Sequence, residues 1–247
     1  MEQLRAELLK QRTTLTVLGL FAAMLGLVGL AVALHSVGLP IESLADGTRQ
    51  LTVLGLGERL GALFAALLGA LSITGEIRHG TIRPTFLVTP RRVRVVAAKV
   101  SVSVLIGAGF GLAGGAAAAA VGAMALQARG IVVQLDGGDY ALLVAGATGA
   151  AALWAGIGVG IGALIRYQVP TLVGLCSWLL FVEGLLSDAT GGLGEIGRFL
   201  PGSAAAAMSG QEPDRLLAPA LGLTVLAAYA AVTTLAGAIA TSRRDVE

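Results

Sequence analysis

The chain reads as an all-α membrane protein with six transmembrane helices, and three observations predict that class. Of its 247 residues, 55% are hydrophobic and 13% charged, about half the charged share of an ordinary soluble domain, and the mean hydropathy is +0.84. The apolar residues fall in six long runs, near 14–34, 51–74, 95–126, 140–164, 169–187 and 216–240, each matching the roughly 20 residues a helix needs to cross about 30 Å of hydrocarbon. The cations then segregate across those runs. Arg5, Lys10, Arg12, Arg78, Arg83, Arg91, Arg92, Arg94, Lys99, Arg166, Arg243 and Arg244 lie on one side, against Arg49, Arg129, Arg198 and Arg215 on the other, with Arg59 inside a span. By the positive-inside rule this ratio places both termini in the cytoplasm of a multi-pass protein of a cell membrane, a bacterial inner or plasma membrane. Outer-membrane strands would alternate apolar and polar residues over about ten positions, and these runs do not.

The elements can be justified in chain order, as one transmembrane domain over residues 1–247. Residues 1–12 put Met1, Leu4 and Leu8 on one helical stripe with Glu2, Arg5 and Lys10 off it, which predicts a short interfacial helix in the cytoplasmic headgroup plane. The first apolar run follows Arg5, Lys10 and Arg12 and ends near Ala31-Val32-Ala33, imitating a secretory signal. It is longer than the roughly 7–15 apolar residues of such a signal, and Glu2 and Glu7 precede it, so it reads as a retained span. The second run is interrupted by Glu58 and Arg59 in its first third.

Between the second and third runs lies a basic, turn-rich elbow, residues 76–99. Glu76 ends the span where the chain meets water, Gly80 permits a sharp reversal, and Thr81 is an N-cap for a short helix from Ile82 to about Val88. Pro84 then sits in the first turn, where a missing N–H costs nothing. Thr89 and Pro90 repeat the pattern as N-cap and N1 of the third span, and Arg91, Arg92, Arg94 and Lys99 are expected to snorkel toward anionic headgroups. A nucleic-acid role for this patch fails, because the same cations set the orientation in the bilayer.

Within the spans, glycines recur four apart: Gly57 with Gly61, Gly111 with Gly115, Gly156 with Gly160 and Gly158 with Gly162. Small residues at that interval let helix backbones approach where lipid offers no hydrophobic drive. The segment from Asp188 to Arg215 is too apolar for a plain linker and too short to cross, so Phe199 to Ala207 predicts a half-inserted, re-entrant helix at the outer leaflet. No internal repeat is evident, which argues against an inverted-repeat carrier.

Catalytic chemistry has little to work with. No Walker A loop, no metal-spaced His and carboxylate set and no nucleophile motif with a base is present. Cys176 is the single cysteine and excludes an intrachain disulfide, while His35 and His79 fall on opposite sides of the membrane. The ionisable groups within spans are few; Glu58 with Arg59, and Glu183, read as interfacial residues reaching headgroups. Trp154, Trp178 and Tyr167 read as packing or belt residues.

Four short motifs, in order along the chain, resemble type-2 ABC transporter permeases: Ala6-Glu7-Leu8-Leu9-Lys10; then Glu76, Arg78, Gly80 and Thr81 followed by Pro90, Arg92 and Lys99; then Phe199-Leu200-Pro201-Gly202-Ser203-Ala204; and Arg243-Arg244-Asp245-Val246. The resemblance implies the transmembrane subunit of an exporter, paired with a second permease subunit, identical or paralogous, and with separate cytoplasmic ABC ATPases. ATP and Mg would then bind the partner ATPase and no cofactor this chain, which would not itself be an enzyme. The short helix after Gly80 would be the cytoplasmic coupling helix, with Glu76, Arg78, Gly80, Thr81, Ile82, Arg83, Pro84, Phe86, Pro90 and Arg92 as the ATPase-coupling residues. Spans lined by Ala, Gly, Leu and Val suit an amphipathic or hydrophobic cargo such as a lipid, drug or antibiotic. The alternatives are an ATP-independent channel or carrier, for which a polar pore lining is missing, and a non-transporting sensory or structural subunit.

Overall fold

The computed structural model describes residues 7–11, 14–81, 92–188 and 194–243, and among them every regular element is helical. A short helical stretch at 7–11 precedes α1 (Leu15–Gly38), α2 (Ile41–Leu44), α3 (Gly47–Leu54), α4 (Leu56–Arg78), α5 (Arg92–Ala128) and α6 (Gly137–Ile165). Then follow α7 (Gln168–Ser177), a π-helical turn (Trp178–Val182), α8 (Glu183–Asp188), α9 (Gly194–Gly197), α10 (Pro201–Met208) and α11 (Pro219–Arg243). Six helical stretches among the described residues are long and apolar enough to cross a membrane: α1, α3 with α4, α5, α6, α7 through Leu186, and α11.

Each span overlaps its predicted run and most extend beyond it at one end or both, because hydropathy ends where polar residues begin while the helix continues to its cap. The second begins at Gly47 rather than 51, since Asp46 accepts from the Thr48 amide as N-cap. The fourth begins at Gly137, set by a capping box in which Asp136 accepts from Gly138 and Asp139 while the Asp139 carboxylate accepts from the Asp136 amide. The sixth starts later than predicted, at Pro219 rather than 216, where a proline takes naturally to a first turn.

Helices α4, α5 and α6 form the centre and pack pairwise, with α1 against α4 and α5, and α11 against α6. The outer helices leave their apolar faces bare: Leu18, Leu30 and Leu34 on α1, Val169 and Val173 on α7, and Leu221, Val232 and Leu235 on α11 are exposed. Lipid tails suit such faces, since an α-helix satisfies the backbone groups of its interior turns within itself.

Glycine decides how closely the central helices approach. A Cβ on Gly69 of α4 would fall on the Ala155 carbonyl of α6, and one on Gly158 of α6 would fall on the Ala66 carbonyl of α4. Gly111 of α5 bears likewise on the Ala147 carbonyl, and Gly160 faces Thr233 and Gly237 of α11. Two of the four spaced pairs, Gly111 with Gly115 and Gly158 with Gly162, thus lie at close helix crossings through both members, whereas Gly61 and Gly156 have only ordinary contact with their neighbours. Backbone-to-backbone approach of this kind maximises dispersion contacts where apolar burial contributes little.

Candidate functional site

The elbow is approached by α4 and left by α5, and its base is a buried ion-pair cluster. Lys99, on the third turn of α5, is 1% exposed. Its ammonium lies 2.9 Å from Glu76 Oε1 and 3.0 Å from Glu7 Oε2, and it donates to the Ser72 carbonyl at 3.0 Å. Lys10 bridges the same two carboxylates from the solvent side, at 3.0 Å to Glu76 and 3.2 Å to Glu7. Beside them the Gln11 amide reaches Ser103 at 3.5 Å. The chain's two lysines and two of its acids therefore knot together the residue 7–11 stretch, the end of α4 and the start of α5. The ammonium of Lys10 is raised above the ordinary lysine value: partial burial works to lower it, but the Glu76 hydrogen bond and charge, with those of Glu7, outweigh that.

This cluster corrects two expectations. Lys99 does not snorkel, because two carboxylates and a carbonyl inside the bundle outcompete distant headgroups for its three donors. The 7–11 stretch turns polar Glu7 and Gln11, 6% and 8% exposed, toward the bundle, while Leu9 is 62% exposed. Met1 and Leu4 of the expected stripe lie outside the described residues.

The remaining elbow residues are spread around that base. Arg78 is exposed and donates to the Gln168 side chain at 3.3 Å, linking α4 to the start of α7. Gly80 has φ +70°, the left-handed reversal expected of it, with no atom of the described residues within 4 Å of where a Cβ would stand. The Thr81 hydroxyl donates back to the Glu76 carbonyl at 3.4 Å. Arg92 donates to the Thr241 carbonyl at 3.3 Å, tying the start of α5 to the end of α11. The predicted short helix 82–88, with Ile82, Arg83, Pro84, Phe86 and Pro90, lies outside the described residues. Glu76 and Lys99 are thus in direct contact; Arg78 and Arg92 reach different neighbours.

At the opposite end of the bundle is a second polar site. There the expectation of interfacial carboxylates fails: Glu58 is 3% and Glu183 7% exposed, buried between helices, while Arg59 beside them is exposed. Glu183 follows the π-turn, whose backbone hydrogen bond runs from the Glu183 amide to the Trp178 carbonyl; such turns inside α-helices concentrate at functional sites. Its carboxylate accepts from the Gly202 amide at 2.9 Å, the Ser203 amide at 2.7 Å and the Trp178 indole at 3.2 Å. The N-cap of α10 is Leu200, which has no side-chain acceptor, and Pro201 is N1. Glu183 therefore serves as the cap from a distant helix and places its charge at the positive end of the peptide dipoles. Gly202 is required for that approach, since a Cβ there would lie 2.7 Å from Glu183 Oε2.

Helix α10, the centre of the predicted 199–207 element, is almost wholly buried against α6 and α11. Just past it, Gln211 packs on Gly55, where a side chain would collide with its amide, and donates to Glu58 at 3.3 Å. The resulting cavity, about 280 Å³, is lined by Glu58, Trp154, Glu183, Arg198 and Gln211 among others. Sequence reasoning missed Glu7, Ser72 and Gln211 as partners; polar residues closing spans or flanking them were the available signal. No group of three or more His, Cys, Asp or Glu suited to a metal occurs among the described residues. Compared with known proteins, the chain matches no protein-family model and no curated protein, so these two sites themselves carry the functional reading.

Proposed function

We propose that the chain is the membrane subunit of an ATP-driven exporter of the type-2 ABC class, moving an amphipathic or hydrophobic compound outward while a separate cytoplasmic ATPase supplies the work. The carrying observation is the buried cluster of Lys99, Glu76 and Glu7. A loop that merely joins two spans needs no such base. A loop that receives a push and passes it to two helices does, because force applied beyond Gly80 reaches α4 and α5 together only if their ends are fastened.

In this reading the elbow faces the cytoplasm, and the segment after Thr81 is the coupling helix that docks on the ATPase. Two such permeases form the pathway, and closure of the ATPase dimer alters the gap between them. The element over 199–208 re-enters the outer leaflet, where Glu183 fixes its start. Glycine-lined crossings let α4, α5 and α6 move as one body.

The test uses Gly80→Val. Among the described residues the Cβ meets no neighbour within 4 Å, so the principal perturbation there is to the φ of +70°, at a local cost of about 1–3 kcal/mol. Coexpressed with a cytoplasmic ABC ATPase with which it copurifies and reconstituted in vesicles, the variant is expected to keep membrane insertion, with a thermal midpoint lowered by no more than about 2–12 °C, but to lose substrate-stimulated ATPase activity and transport. Unchanged stimulation and transport, or solute flux through the purified chain without any ATPase, would overturn the proposal.

A further inference from the structure

The cavity at the end opposite the elbow holds polar groups that the fold does not use. Glu183 is spent on capping α10, with three hydrogen bonds in hand. Glu58 is different: among the described residues its carboxylate receives one hydrogen bond, from the neutral Gln211 amide at 3.3 Å, and no ion pair to it forms. Trp154, 2% exposed, lines the same cavity, and its indole N–H has no hydrogen-bond partner among the described residues. A buried carboxylate with no direct ion pair among the described residues and an orphaned buried donor each cost free energy that a ligand can offset.

Three guanidinium groups border the same cavity: Arg59, Arg198 and Arg215 line it together with Glu212. Arg215 is 3.8 Å from Glu212 and both are partly in solvent, while Arg198 lies 5.3 Å from the Phe199 ring. The floor therefore asks for a cation or hydrogen-bond donor beside an acceptor, and the guanidinium groups of the lining offer donors to an anion. Beyond Leu179 and Leu180 of the lining, Phe181 and Leu185 are 70% and 69% exposed, an apolar surface running away from the cavity.

We propose that this cavity binds a zwitterionic group of the phosphoethanolamine kind, its ammonium against Glu58 and its phosphate among Arg59, Arg198 and Arg215. The Trp154 N–H completes the floor by donating to a ligand oxygen. When the group belongs to a lipid, its chains lie along Leu180, Phe181 and Leu185. That this is a transport site rests on the exporter reading above; binding itself needs no ATPase and is measured without one.

The experiment follows intrinsic tryptophan emission of the purified chain in nanodiscs, since Trp154 lines the cavity and Trp178 bonds to Glu183 beside it. The probes are short-chain phosphatidylethanolamine, phosphatidylglycerol with matched chains, and free phosphoethanolamine. Saturable binding of the first is expected, about tenfold weaker or more for the glycerol headgroup and for Glu58→Gln, the effect of losing one buried charged partner. Equal affinity for free phosphoethanolamine would identify a soluble source, and preference for the chain-bearing form a membrane source; both support the site. No saturable change, equal binding of both lipids, or an unaltered affinity in Glu58→Gln overturns it. Should Glu58→Gln fail to fold, Arg59→Gln decides: this exposed residue is expected to keep the thermal midpoint and weaken binding about threefold or more, and undiminished binding refutes the proposal. Binding without ATP-driven flux would sink the exporter reading alone; flux without binding would sink this site alone.

Discussion

Replacing Lys99 with methionine tests the fastening at the base of the elbow most directly. The side chain is of similar length and the position is 1% exposed, so packing is largely retained while one ammonium is lost. That ammonium holds Glu76 at 2.9 Å, Glu7 at 3.0 Å and the Ser72 carbonyl at 3.0 Å. Removing one partner of a buried pair typically costs about 3–5 kcal/mol, chiefly the penalty of the charge left behind. Lys10 still neutralises part of the site from its half-exposed position, which puts the expectation at the lower end, about 3 kcal/mol. At roughly 2–4 °C per kcal/mol for a chain of this size, the thermal midpoint should fall by about 6–12 °C in nanodiscs. The triple variant Glu7→Gln, Glu76→Gln and Lys99→Met removes the stranded charges and should recover most of the loss. A midpoint for Lys99→Met within about 2 °C of the unaltered protein, or a triple variant no better than the single one, would refute the view that these charges bind three segments together.

Two further perturbations probe the bundle itself. Gln50, fully buried, donates to the Leu44 and Val132 carbonyls at 2.8 and 3.0 Å and accepts from the Gln134 amide at 2.9 Å; Gln50→Leu keeps the volume but strands those groups, for an expected loss of about 1–3 kcal/mol and faster hydrogen exchange at the Gln134 amide, and unchanged exchange there would count against the bridge. Gly158→Leu drives a Cβ onto the Ala66 carbonyl and should destabilise by about 1–3 kcal/mol or more, whereas Gly26→Leu, on the exposed part of α1 with no atom of the described residues within 4 Å of its Cβ, should be near neutral; equal thermal midpoints for the two would show that the α4–α6 crossing is not glycine-limited.

Local chemistry was legible from the residues alone. Apolar run length is a property of contiguous residues, so the six helices stood where expected, and the reversal at Gly80 followed from the backbone freedom of one residue. Pairings between distant segments were not legible. Lys99 looked like a snorkelling cation because its sequence neighbours are arginines; its partners Glu7 and Glu76 come from other segments, 92 and 23 positions away. Glu58 and Glu183 sit near the ends of apolar runs, where headgroup contact is the ordinary expectation. Their burial depends on Gln211 and on α10, which only the packed fold brings alongside.

By itself, then, the order of residues determined the number of spans, where each begins and ends within a few residues, and which short segments break them. Those outcomes follow from hydropathy and backbone preference acting over a turn or two. The tertiary structure alone decided which charges are neutralised and which polar groups are left for a ligand, because a charge in a low-dielectric interior takes its character from whatever groups the packing places within about 4 Å of it.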